Sequence, residues 1–153
     1  MLDHQKMLDF FQEYISHYRE LLRFENDKLQ MIFDDDIEAL NKSISKEQAL
    51  IMKTNAFESK RIEILGIGNE KKTYKQIISE APYEFQPRLN ENYNELSKLI
   101  FQIKKINENA QEIVSQRLDI IQNVNSGLSV DTYNNKGNKK HHTQGATTLN
   151  KDI

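Results

Sequence analysis

Residues 88–125 read RLNENYNELSKLIFQIKKINENAQEIVSQRLDIIQNVN. Leu89, Tyr93, Leu96, Leu99, Ile100, Ile103, Ile106, Ala110, Ile113, Val114, Leu118, Ile120, Ile121 and Val124 fall mostly three and four apart, with no glycine or proline among them. That is the period of a helix, not of a strand. Projected at about 100° per residue, these positions cover nearly half the circumference, wider than one coiled-coil seam needs. A helix lying in the groove between two others needs such a face. So does a helix that gives one flank to its own bundle and the other to a partner. Groove packing is the expectation before Ala110, and in the last turns both readings stand.

Upstream the same period recurs twice. From about Leu2 to Phe33, a seam of Leu8, Phe11, Ile15, Tyr18, Leu22, Leu29 and Ile32 is interrupted only by Glu25. Polar side chains are expected over the rest of this helix, and His4 and His17 are expected to be exposed. About 30 residues rising 1.5 Å each make a rod of roughly 45 Å. Asp34, Asp35 and Asp36 follow. They lack the glycine and distal glutamate of a calcium loop, and they suit a tight turn and a helix N-cap. The second helix is predicted from about Ile37 to Leu65, on a seam of Ile37, Leu40, Ile44, Ile51, Thr54 and Phe57 closed by Ile62, Ile64 and Leu65. Two helices of matched length joined by a short turn make an antiparallel hairpin.

Gly66-Ile67-Gly68-Asn69 ends the second helix. It is no phosphate loop, because no strand precedes it and the further spaced glycines are missing. Thr73 is placed to cap a short helix from Tyr74 to Glu80, with Ile77 and Ile78 inward. Pro82 to Pro87 form an irregular bridge to the third long helix. From about Ser126 the chain turns to Asn, Ser, Thr, Gly and Lys, a composition that cannot bury enough surface to order itself. The expectation is an all-α fold: an elongated three-helix bundle or coiled coil over 1–126 with a mini-helix between its second and third long helices, then a flexible polar tail over 127–153.

Composition narrows the function. The chain has 153 residues, net charge −2 and no cysteine. No basic cluster suggests nucleic acid. The first residues, MLDHQKMLDF, are not a secretory signal, and no apolar run is long enough to span a membrane. The default location is cytoplasmic. His141 and His142 lie in the tail without further ligands, and no Glu-x-x-His pair is present for a di-iron site. No G-x-S-x-G turn or other nucleophile–base pattern occurs. A cofactor-free, metal-free binding protein is expected rather than an enzyme.

The order of elements resembles a known family. Two long helices, a glycine break, the Thr-led mini-helix Thr73-Tyr74-Lys75-Gln76-Ile77-Ile78, a long third helix and a tail opening with Thr132-Tyr133-Asn134-Asn135-Lys136-Gly137 resemble the FlgN family of flagellar type III export chaperones. One feature departs from the family pattern. Where the third helix usually carries an asparagine three residues before a Leu-Leu pair, this chain has Ala110 before Ile113-Val114. The resemblance implies binding to the C-terminal helices of the hook-filament junction proteins FlgK and FlgL, and delivery to the export gate protein FlhA. It implies client binding by the third helix and its C-terminal end, and gate docking through Tyr133; on the wide apolar face the residues expected to meet the client are Ile113, Val114, Leu118, Ile121 and Val124. A chaperone of this kind is expected to be a monomer or weak homo-oligomer. The competing reading is a structural homo-oligomeric coiled-coil spacer.

Overall fold

The computed structural model describes residues 2–128. They form α1 (His4–Phe33), α2 (Ile37–Leu65), the short α3 (Tyr74–Glu80) and α4 (Gln86–Leu128). Each boundary has a local cause. Asp3 caps α1 by accepting from the amides of Gln5 and Lys6. Asp36 caps α2 by accepting from the Ala39 amide at 3.0 Å, and Asp35 makes the turn at φ 52°, a left-handed conformation that aspartate tolerates. Gly66 and Gly68 take φ of 74° and 94° where α2 ends. Thr73 and Gln76 form a full capping box on α3. Pro87 sits in the first turn of α4, where a missing amide hydrogen costs nothing.

Helix α1 lies between α2 and α4. Ion pairs Glu13–Lys60 at 2.7 Å, Glu20–Lys53 at 3.2 Å and Lys28–Glu47 at 3.0 Å join α1 and α2. Their numbers rise on one helix as they fall on the other, so the pair is an antiparallel hairpin. Contacts to α4 rise together: His4 stacks on Phe85 at 5.4 Å, Arg19 pairs with Glu95, and Arg117 reaches the end of α1. Helix α4 therefore runs parallel to α1. The backbones of α2 and α4 do not approach each other closely.

The central position of α1 requires two seams. Leu8, Phe11, Ile15 and Tyr18 are buried as the heptad predicts. A second series, Met7, Phe10, Tyr14, His17, Leu21 and Phe24, is buried as well. The expectation of a polar remainder on this helix was wrong. The groove position expected of α4 belongs to α1. His17, expected exposed, is 1% exposed, and His4 is half-buried against Phe85.

Helix α2 is seated more lightly. Its buried residues are Leu50, Thr54 and Leu65, whereas Ile37, Ile44 and Ile62 of the expected seam are exposed. The positions toward α1 include polar members. Thr54 Oγ1 meets His17 Nε2 at 2.7 Å and Glu47 holds Lys28, while Arg61 lies over the Tyr74 ring of α3 at 5.7 Å. Leu50 and Leu65 are the buried apolar residues of α2, and the half-buried Phe57 adds ring contacts, with centroids 6.1, 5.2 and 5.1 Å from Phe10, Tyr14 and His17. Helix α3 closes the proximal end, where Tyr74 packs on Phe11 at 4.8 Å.

Burial and the nearby Lys53 charge lower His17 from 6.5 to about 4. The unfolded chain therefore binds a proton between pH 6.5 and 4 that the folded chain does not, so stability falls as pH drops through that window. Between pH 7 and 5 the loss from this one group is about 2 kcal/mol. Urea titrations should find that loss in the native protein and not in His17→Gln. An equal pH slope in both proteins would show that His17 does not cause it.

Candidate functional site

Along α4 the face toward α1 is built in heptads. Leu96, Ile103 and Ala110 are buried, and Leu89, Leu99 and Ile100 extend the same face. The seven-residue row from Leu96 continues through Arg117 to Val124, and the row from Ile100 continues through Asn107 and Val114 to Ile121. The face keeps its register while its partner stops, because α1 ends at Phe33.

Arg117 marks that point. Its guanidinium donates to the Ile32 and Phe33 carbonyls, the latter at 3.0 Å, and to the Asp35 carboxylate. The last carbonyls of a helix have no partner within it, so a cation placed there satisfies them and complements the negative end of the dipole. An arginine in an otherwise apolar row is explained by the end of the opposing helix.

Beyond Arg117 the helix runs on to Leu128, about 16 Å at 1.5 Å per residue. Ile113 and Leu118 are half-buried, whereas Val114, Ile120, Ile121 and Val124 are exposed. Ile121 and Val124 are each 54% exposed. Of the five residues expected to bind a client, Leu118, Ile121 and Val124 lie beyond Arg117, and Ile113 and Val114 lie in the turn before it. Tyr133 lies outside the described residues. Arg117 escaped the sequence reading, although a charge on a heptad row of apolar residues is its visible signal. Phe101, 61% exposed on the opposite face, was also left out, and Lys105 lies over its ring at 5.5 Å.

Nothing here converges for chemistry. Among the described residues no group of His, Asp and Glu could hold a metal ion. The buried polar atoms without a partner, His17 Nδ1, Tyr74 Oη and Ser97 Oγ, sit on three different helices. No described helix is long and apolar enough to cross a membrane.

Arg117→Met should cost roughly 1 kcal/mol in urea unfolding, the usual size of a lost hydrogen-bonding group at a helix end. Hydrogen exchange should quicken at residues 30–36. Unchanged stability and exchange would show that Arg117 does not fasten α4 to the hairpin.

No curated protein matches the chain, and no solved structure does. A family model described as FlgN protein matches residues 1–141. That match spans every described helix and continues past the end of α4. The chain belongs to the FlgN family, a family of flagellar export chaperones and not of enzymes.

Proposed function

We propose that this chain is a cytoplasmic chaperone that binds the C-terminal helices of FlgK- and FlgL-type junction proteins and presents them to the type III export gate. The observation that carries this reading is the apolar face of α4, which continues in register past the end of α1 with no other described helix over it. Such a face suits an amphipathic helix laid into it, with apolar anchors for affinity and flanking charge for selectivity. Ile113, Val114, Leu118, Ile121 and Val124 are the anchors. Several are already partly shielded, so covering the rest gains roughly 1 kcal/mol at each. The sum is reduced by ordering costs on both sides, which leaves room for release at the gate.

The chaperone works by covering. A junction-protein terminus built to pack against its neighbours in the filament is kept from doing so until export. In this reading Tyr133 makes the contact with FlhA, so client and gate are held by different parts of the chain. A homo-oligomeric spacer would instead bury the same stripe against another copy at all working concentrations.

Ile121→Asp with Val124→Asp should abolish capture of purified FlgK and FlgL C-terminal segments while the circular dichroism of the free protein stays helical. Tyr133→Ala should leave that capture intact and weaken binding to the cytoplasmic domain of FlhA. Full client capture by the double variant would end the client assignment. Unchanged FlhA affinity in Tyr133→Ala would end the gate assignment.

A further inference from the structure

We infer that the tip of the α1–α2 hairpin is the second wall of the client site, and that a client helix is held with its end against Phe33 while its side lies on α4. This rests on the client reading above and adds residues from a different part of the fold. Phe33 is the last residue of α1, four beyond Leu29 and next to the buried Ile32 that ends the α1 seam. It is nonetheless 58% exposed. Beside it Ile37 opens α2 and is 68% exposed. Arg117 joins the two walls, because one guanidinium bonds the Phe33 carbonyl and the Asp35 carboxylate. The exposed end of α1 and the run of α4's stripe beyond it therefore meet within the reach of a single side chain.

The occupant follows from continuity. From Leu89 to Ala110 this face of α4 is covered by a helix with apolar residues at threes and fours, namely α1. Above Phe33 the same face continues in the same heptad register, so what completes it is another amphipathic helix on α1's line. The run from Arg117 to Leu128, over which no other described helix packs, is about 16 Å, or three turns of such a helix. A helix seated there has α4 along its side and Phe33 and Ile37 under its end. A large aromatic at the base of a water-excluding seat is where interface energy usually concentrates.

The test is calorimetric titration of the full-length chain with purified FlgK and FlgL C-terminal segments. Phe33→Ala should weaken binding about tenfold, the size expected when an aromatic anchor is truncated. Its urea midpoint should match the native protein, since the ring is largely exposed before binding. Phe33→Leu should restore most of the affinity. If Phe33→Ala binds within about twofold of native while Ile121→Asp does not bind, the tip is no wall and the client reading stands. If both variants bind as the native chain does, the client reading fails and the tip proposal with it.

Discussion

Helices α2 and α4 are held together through α1, because their own backbones do not approach closely. That constraint fixes much of the rest. A helix with a neighbour on each side must be apolar on both, and α1 meets this with Met7, Phe10, Tyr14 and Phe24 on one seam and Leu8, Phe11 and Ile15 on the other. It also makes the length of α1 decisive. Both neighbours are covered only as far as α1 runs, and whatever extends past Phe33 loses its cover.

The two neighbours use α1 differently. Helix α4 meets it with leucine and isoleucine in heptad rows, an interface driven by removal of apolar surface from water. Helix α2 buries only Leu50, Thr54 and Leu65, meets α1 with Thr54, Glu47 and Phe57, and is flanked by a ladder of ion pairs. Exposed ion pairs contribute little each. Most of the stability thus lies between α1 and α4, and the hairpin partner α2 is the lighter attachment. The firm α1–α4 contact is what holds the uncovered end of α4 in place.

Much of this was legible in the sequence, and the parts that were not share one cause. The four helices, the aspartate cap, the Thr73 cap and the glycine stop all rest on local chemistry and appear where that chemistry puts them. Which face meets which neighbour is not local. A single seam drawn through α1 left out Phe10, Tyr14 and His17, because a second partner cannot be read from one helix. The breadth of α4 was visible, but its meaning depended on where α1 ends relative to it. The seam drawn through Ile37 and Ile44 is exposed, whereas the α2 side chains that meet α1 include the polar Glu47 and Thr54. Arg117 belongs to the same class: its role exists only once three carbonyl and carboxylate oxygens from the hairpin tip are beside it.

The central claim is that the end of α4 is unpartnered in the free chaperone and gains its partner from the client. Hydrogen exchange of residues 114–128, with and without saturating FlgK C-terminal segment, measures this directly. Helix ends without tertiary cover open at little cost, whereas covered ones do not. Fast exchange is expected there in the free protein and strong slowing on client addition, with the amides of Leu96–Ala110 protected throughout. Protection of 114–128 in the free protein, or client protection appearing on α2 instead, would contradict that claim.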